Sequence, residues 1–405
     1  MRVCVVGGGG REHGLAVALG RTADVVVTPG NPGIPGSVAT PPEEIDADLF
    51  VVGPEQPLVD GLADRLRATG RLVFGPGADG AQVEGSKRYM KELAADADLP
   101  TARFGSFDDL DAAVAFLETL PGLYVVKTDG LAAGKGVLVT ESLAEAIDDV
   151  RAKLSGDAFG AAGRRVVIEE GLTGPEASVF LVCDGERAVA LPPAQDYKRV
   201  GDGDTGPNTG GMGAWSPFAA EPPDLAGVAV DRFALPTLAA LRARGIDYRG
   251  VLYAGLMLTP EGPKLIEYNI RFGDPDSQVV LLRLTSDLAA LLASAASGDL
   301  TGADPVTVDP DPAVLVVAAA EGYPSSPRTG DVIEGLDAAR AVEGVEVLCA
   351  GVGLDDQGRL VTAGGRVLGV VGRAPTAAEA RDRAYRALGE ISWPGMHHRT
   401  DIAAG

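Results

Sequence analysis

Cysteine is scarce and never grouped. Cys4, Cys183 and Cys349 are the only three, each inside an apolar run (VCVV, FLVCDG, VLCAG). They form no metal-spaced set and no disulfide framework, so buried structural thiols and a reducing, cytoplasmic compartment are expected. No apolar stretch approaches the roughly 18 residues of a membrane span, and Met1 to Val6 reads as a strand rather than a targeting leader. Positive charge is short as well: 35 Lys and Arg stand against 57 Asp and Glu, a formal charge of -22. Such a field repels polyanions, which excludes a general affinity for nucleic acid or an anionic membrane. Small phosphorylated ligands, captured by local lysines and glycine loops, remain open.

Glycine is plentiful: 55 residues without a three-residue period, in a 405-residue chain that is 46% hydrophobic and 23% charged. That composition and length describe two to four globular domains. Val3 to Val6 is a buried-strand run that stops at Gly7-Gly8-Gly9-Gly10, and Arg11-Glu12-His13 opens a helical stretch. Strands over 25–28, 49–52 and 72–74 likewise stop at Pro29-Gly30, Gly53-Pro54-Glu55 and Gly75-Pro76-Gly77. Repeated strand–loop–helix units build a doubly wound parallel sheet, which binds ligands at its loop edge. A helix over 86–97 carries Lys87, Arg88 and Lys91. Past Leu99-Pro100, a compact α+β unit is expected, with strands over 123–127, 137–139, 165–170 and 176–183 and a helix over 142–154. Residues 188–308 read as strands alternating with long loops. The last segment reads as strands near 313–320, 345–350 and 366–372 with a helix near 377–389.

Several loops carry chemistry. The first glycine loop leads into a helix, where backbone N–H groups and the helix dipole favour an anion. A dinucleotide needs an acid at the end of the second strand, but Thr28-Pro29-Gly30 stands there. A phosphorylated sugar is thus a better ligand than NAD, with an unliganded tight turn as the alternative. In VVKTDGLAAGKGV, Lys127 closes a strand and Lys135 sits in a glycine loop. The spacing is not a Walker loop, yet two ammonium groups over a flexible loop can neutralise a polyphosphate. Glu169 and Glu170 end the run VVIEEGL, and such a strand end can offer backbone groups to an adenine, with Glu176 reaching ribose hydroxyls. Read alone, these acids serve equally as surface caps.

The segment KLIEYNIRFGD, 264–274, is the most informative. Strand alternation puts Glu267, Asn269 and Arg271 on one face. A carboxylate and an amide oxygen beside a guanidinium suit Mg²⁺ shared with phosphate oxygens, and Arg271 can stabilise a transferring phosphoryl group. Finally, QDYKR at 195–199 and DTGPNTGGMG at 204–213 join charges to a dense glycine loop. Such a loop can wrap a small polar substrate, or can simply be mobile.

With these segments in order, the chain resembles the phosphoribosylamine–glycine ligase family of ATP-grasp enzymes, over nearly its whole length. The markers are GGGGREH at 7–13, GPEQPLV at 53–59, EGSK at 84–87, KTDGLAAGKGV at 127–137, VIEE at 167–170, QDYKRVGDGDTGPNTGGMGAWSP at 195–217 and EYNIRFGDPDSQ at 267–278. The resemblance implies an α/β and α+β multidomain chain. It comprises an N-terminal Rossmann-like substrate domain (1–99), an ATP-grasp small subdomain (100–187, lid about 123–185), a large subdomain with the metal site (188–308) and a small C-terminal domain (309–405). It implies ATP-dependent ligation of glycine to 5-phosphoribosylamine through glycyl phosphate, with Mg²⁺ or Mn²⁺, in purine biosynthesis. Such chemistry needs charge neutralisation and positioning more than a strong base, which suits a chain with three histidines.

By the same resemblance, Lys127, Lys135 and Lys87 are ATP phosphate ligands. Glu169, Glu170 and Leu172 form the adenine hinge, and Glu176 contacts ribose. Glu267 and Asn269 hold the metal, and Arg271, Lys135 and Asp274 act at the reacting centre. Gly9, Gly10, Arg11, Glu12, Glu55, Asp196 and Lys198 border the phosphoribosylamine, and Asp274 with Gly211, Met212 and Gly213 serves glycine. A monomer without nucleic-acid or membrane partners is expected. Two departures stand out: 33–48 is too short for the usual crossover helix, and Tyr197 replaces a more common histidine. Another ATP-grasp carboxylate–amine ligase, or a non-catalytic nucleotide-binding protein, are the competing readings.

Overall fold

The computed structural model describes residues 1–130, 136–156 and 165–404. The first four strands, β1 (Arg2–Gly7), β2 (Asp24–Pro29), β3 (Leu49–Val52) and β4 (Val73–Phe74), form a parallel sheet in the order β2-β1-β3-β4. Val3 to Val6 are buried because helices and neighbouring domains cover both faces, as continuous apolar runs require. All four strands point their glycine and proline loops toward one edge. Between β2 and β3 there is only a one-turn 3-10 helix, Pro42–Glu44, so the short 33–48 connection crosses as a loop.

A second sheet takes β5 (Phe104–Phe107), β6 (Tyr124–Thr128), β7 (Val137–Thr140) and β8 (Val166–Glu170) in the order β5-β8-β6-β7. Helices Leu110–Leu117 and Leu143–Leu154 cover it, each started by a side chain, Asp109 or Ser142, that accepts from a first-turn N–H. The next strand, β9 (Glu176–Asp184), leaves this unit, which differs from the expectation for 176–183. It pairs with β10 (Ala188–Ala190) and with one strand introduced below. Eight of its nine residues are buried, which suits the centre of a larger sheet better than the edge of a small one. The chain then runs through β11 (Gln195–Asp196), β12 (Arg199–Gly201), β13 (Thr205–Asn208) and β14 (Gly213–Ser216).

Residues 217–308 depart most from the strand-and-loop expectation. Leu225–Ala229, Val230–Ala234 and Leu235–Ala243 form one helical run with a π turn in its middle, and Asp276–Arg283 and Leu288–Ser297 are helices. The long hairpin β15 (Arg249–Thr259) and β16 (Gly262–Asn269) completes the third sheet, ordered β10-β9-β15-β16. Every residue of Asp276–Arg283 is buried, so the helix shows no amphipathic stripe to read.

The remaining strands are β17 (Ala313–Ala319), β18 (Val345–Cys349), β19 (Val352–Leu354), β20 (Leu360–Thr362) and β21 (Arg366–Arg373). The fourth sheet runs β11-β14-β17-β21-β18, so strands from the glycine-loop region are built into the C-terminal sheet. All three cysteines are buried and unpaired. Among the described residues no helix is long and apolar enough to cross a membrane.

Helix Ala377–Leu388 lies on β21 through Ala380, Ala384 and Ala387, all fully buried. The approach is so close at Gly372 that a Cβ there would meet the Ala380 carbonyl oxygen at 2.1 Å and the Ala384 nitrogen at 2.7 Å. Backbone atoms cannot step aside, so Gly372→Ala should cost about 1–3 kcal/mol. The thermal unfolding midpoint should fall accordingly. Gly302→Ala, at a site with no neighbour within 4 Å, should leave it unchanged.

Candidate active site

The end of β8 holds a compact charge cluster. The Glu169 carboxylate, 3% exposed, takes Lys91 Nζ on one oxygen and Lys127 Nζ on the other, each at 2.7 Å. Lys91 also donates to Thr101 Oγ1 at 2.7 Å, and Thr101 passes its own proton to the Leu265 carbonyl at 2.6 Å. Burial works against the Glu169 charge, but Lys127 and Lys91 hold its pKa below the ordinary value. Burial draws Lys91 down to about 8 against the pull of Glu169, so its ammonium is still charged at neutral pH. Two cations around one anion leave this strand end with a net positive charge. Lys91 was legible only as one of three basic residues on its helix. Its neighbour Lys87, one turn earlier, is half-buried and donates to the Gly130 carbonyl at 3.1 Å.

Glu169 thus commits both carboxylate oxygens to lysines. Glu170 Oε1 accepts from the Arg103 N–H at 3.0 Å, while Leu172 is half-buried. Glu176 is ion-paired with Lys198. Lys135 lies outside the described residues.

The β16 strand end supplies the second group. Glu267 accepts no hydrogen bond or ion pair from any described side chain, yet burial fails to neutralise it. Lys198, Lys127, Lys87 and Arg271 together hold its pKa below the ordinary value. Asn269 Oδ1 accepts from Arg271 Nη2 at 3.2 Å. Arg271 also donates to Glu84 Oε1 at 2.9 Å and faces Glu55 Oε2 at 3.4 Å. Glu84 uses its other oxygen to accept from the Ile270 N–H at 2.8 Å. Ionised, directly unpaired Glu267 and the neighbouring amide oxygen make a hard oxygen-donor set that fits a divalent cation whose remaining ligands come from phosphate. Among the described residues no group of three or more His, Cys, Asp or Glu side chains offers a competing site.

The third group gathers around Asp274. Its Oδ1 accepts from Gln278 Nε2 at 2.8 Å, and Oδ2 faces Arg366 Nη2 at 3.0 Å. Arg366 Nη1 donates to the carbonyls of both Asp274 and Gly210 at 2.6 Å. From the other side comes the first glycine loop: a Cβ on Gly9 would lie 3.9 Å from Asp274 Oδ2, and one on Gly10 3.0 Å from Gln278 Nε2. Gly211 has φ +115, and a Cβ there would strike Pro275 Cδ at 2.3 Å, so only glycine fits. The N-terminal loop, the 206–213 loop and the 271–278 turn therefore meet at one point.

Some of the expected site residues are engaged in the scaffold. Glu12 is 2% exposed; it accepts from the Gly9 N–H at 2.6 Å and pairs with Arg11 Nε at 2.6 Å, closing the helix start. Met212 is fully buried and Gly213 begins β14 beneath the loop. His13 is neutral, since burial pushes it down to about 4, and its Nδ1 accepts from the Cys349 N–H at 2.8 Å. Asp196 is different. Its carboxylate is half-buried with no side-chain partner among the described residues, and burial raises its pKa to about 7, Lys198 opposing and Asp276 and Glu176 adding to the rise.

Comparisons with known proteins agree with this arrangement along the whole chain. Residues 1–84 match the phosphoribosylglycinamide synthetase N domain, 85–277 its ATP-grasp (A) domain and 313–405 its C domain. The phosphoribosylamine–glycine ligase of Caulobacter vibrioides is 48% identical, covering 99% of this chain and 97% of that one. The chloroplastic enzyme of Arabidopsis thaliana is 46% identical over 97% of this chain and 78% of its own. The crystal structure of phosphoribosylamine–glycine ligase from Thermotoga maritima superposes with a TM-score of 0.89 at 35% identity, covering 99% of this chain and all of that one. A biotin carboxylase domain from Hydrogenobacter thermophilus, 15% identical with a TM-score of 0.73 over 98% of this chain and 91% of that one, shares the fold.

The Lys91–Glu169–Lys127 cluster is testable apart from function. Removing one partner of a buried ion pair leaves an uncompensated charge and typically costs about 3–5 kcal/mol. Glu169→Ala leaves two buried ammonium groups facing each other and should show that loss in urea unfolding. Lys87→Ala, whose lysine donates to a backbone carbonyl, should stay within roughly 1 kcal/mol.

Proposed function

The chain belongs to the phosphoribosylglycinamide synthetase family, and we infer that it ligates glycine to 5-phosphoribosylamine with cleavage of ATP, in purine biosynthesis. The observation that carries the site reading is Glu267: an ionised carboxylate with four cations around it and no direct partner among the described residues. Glu267 and Asn269 would hold Mg²⁺ or Mn²⁺, which when bound neutralises phosphate oxygens and orients the γ-phosphoryl group.

The protein's own residues divide the remaining work. Lys127, backed by Lys91, and Lys87 and Lys135 supply positive charge for the polyphosphate. The backbone at Glu170 and Leu172 offers hydrogen bonds to adenine, and Glu176 is the ribose contact. Arg271, immobilised by Glu84 and Glu55, presents a preorganised charge to the phosphoryl group, so little reorganisation is needed when charge develops. The glycine carboxylate attacks the γ-phosphorus and ADP leaves, giving glycyl phosphate. The amine nitrogen of phosphoribosylamine then attacks the acyl carbon and phosphate leaves. Gly9, Gly10 and Arg11, at the start of a helix, suit the sugar phosphate, and Glu55 borders it. Gly211 and Asp274 shape the glycine end. Asp196, beside Lys198, accepts the proton lost by the attacking amine.

The working unit is proposed to be a monomer. The unpaired thiols suit a reducing compartment such as the cytoplasm, although one relative is chloroplastic.

Pure protein given ATP, Mg²⁺, glycine and freshly made phosphoribosylamine should release ADP only when both co-substrates are present. Absence of that dependence would sink the reading. Arg271→Met should lower kcat roughly 10²–10³-fold, with folding checked by circular dichroism. Because a base must be deprotonated to act, kcat/KM for phosphoribosylamine should fall as pH drops through about 7. Asp196→Asn should be slow and should lack that acid limb.

A further inference from the structure

The C-terminal segment grips the base of the substrate loop. Arg399 is 1% exposed and heads the fully buried side chains by volume. Its Nε and Nη2 make a bidentate pair with Asp401, at 2.7 and 2.6 Å. Its Nη1 crosses to the loop, donating to Asp204 Oδ1 at 2.7 Å and to the Arg199 carbonyl at 3.2 Å. The guanidinium lies 4.9 Å from the centre of the Tyr197 ring, a cation–π contact. Around it, the Tyr197 hydroxyl accepts from the Ala403 N–H at 2.9 Å, Asp202 accepts from the Thr400 N–H at 2.8 Å, and Asp401 accepts from the Gly203 N–H at 2.8 Å.

The gripping segment is itself fastened. His397 exchanges backbone hydrogen bonds with Ala319 of β17, at 2.7 and 2.9 Å. Tyr385 donates to the Arg399 carbonyl at 2.8 Å, and Arg381 donates to those of Ile402 and Thr400 at 2.9 and 2.6 Å. On the loop, Asp204 holds φ +54, a left-handed conformation that a non-glycine residue keeps only where its surroundings over-determine it. The Arg399 contact is one such determinant.

The contacts on either side of this segment decide what the grip does. The Tyr197 ring and hydroxyl and the carbonyls of Arg199 and Val200 meet the C-terminal segment, whereas the Lys198 side chain reaches away to Glu176 of β9. On that side the Lys198 ammonium lies near Glu267 and Asp196, and the carboxylates of Asp276 and Glu176 lie near Asp196. We propose that Arg399 is a positioning residue: by clamping Tyr197, Arg199 and Asp204 it fixes the face of the loop that presents Asp196 and Lys198 to glycine and phosphoribosylamine. The inference rests on the substrate assignment above, and the loop's ordering can be measured without it.

Arg399→Ala should raise KM for glycine and phosphoribosylamine at least about tenfold, since small displacements of positioning groups are costly. Binding of ADP with Mg²⁺, measured by calorimetry, should stay unchanged. Arg399→Lys keeps the charge without the fork and should recover part of the loss. Asp204→Asn breaks the clamp at an exposed carboxylate and should raise the same two KM values to a smaller extent, which keeps the proposal testable if Arg399→Ala does not fold. Hydrogen exchange read by mass spectrometry should accelerate over residues 196–209 in both Arg399→Ala and Asp204→Asn. Unchanged exchange there in folded variants overturns the clamp. Accelerated exchange with both KM values unchanged overturns its role in catalysis. A wild-type protein without glycine-dependent ADP release would instead count against the substrate assignment.

Discussion

The guanidinium of Arg271 is where the N-terminal domain and the grasp sheets become one machine. Glu55 reaches it from the β3–β4 connection and Glu84 from beyond β4, while Asn269 ends β16 and Arg271 follows two residues later. Withdrawing an arginine charge from water costs several kcal/mol unless partners replace its hydration. Two carboxylates and an amide oxygen do so here. Because Glu84 also accepts from the Ile270 N–H, the same contact that docks the domain straightens the backbone carrying Glu267 and Asn269. Domain packing and the alignment of the oxygen donors are therefore one interaction.

The cleft resolves an apparent conflict with the formal charge of -22. Besides Lys87, which donates to a backbone carbonyl, its described cations each have an acid beside them: Glu169 for Lys91 and Lys127, Glu176 for Lys198, Glu84 and Glu55 for Arg271, and Asp274 for Arg366. Free positive charge is small and local, concentrated where two lysines share Glu169. A strip of phosphates with condensed counterions gains little from such a site, whereas a compact polyphosphate with its own divalent ion can. The surrounding negative field adds selectivity by excluding the polymer at long range.

Much of this was legible locally. Buried strands that stop at glycine or proline announce themselves, and EYNIRFGD places its donors by simple alternation, so the sheets and the β16 site followed from the residues. The losses have physical causes. Asp276–Arg283 is buried all round, and the 225–243 run is interrupted by a π turn just before Pro236; neither offers a clean period. On helix Lys87–Asp96, sequence spacing could not say that Lys91, rather than Lys87, turns into the core beside Glu169. A glycine-rich motif also mixes open loop positions with supports: Glu12 and Met212 are buried, and Gly213 begins β14. Arg366 and Arg399 lie in no motif; their roles arise from pairings across 92 to 200 positions of chain.

Those long-range pairings change what the C-terminal domain is. β11 and β14, which flank the substrate loop, hydrogen-bond into the same sheet as β17 and β21, and the Met212 carbonyl accepts from Val317 at 3.0 Å. The loop's two ends are thus strands of a fully packed core, and its tip is held by Arg366. The opposite side of the cleft is tied to the same domain, because Asn31 donates to the Gly8, Cys349 and Ala350 carbonyls at 2.8, 3.2 and 3.0 Å. The C-terminal domain therefore sets the distance between the first glycine loop and the 206–213 loop. With the two substrates held as proposed, this distance decides whether the amine and the acyl carbon meet.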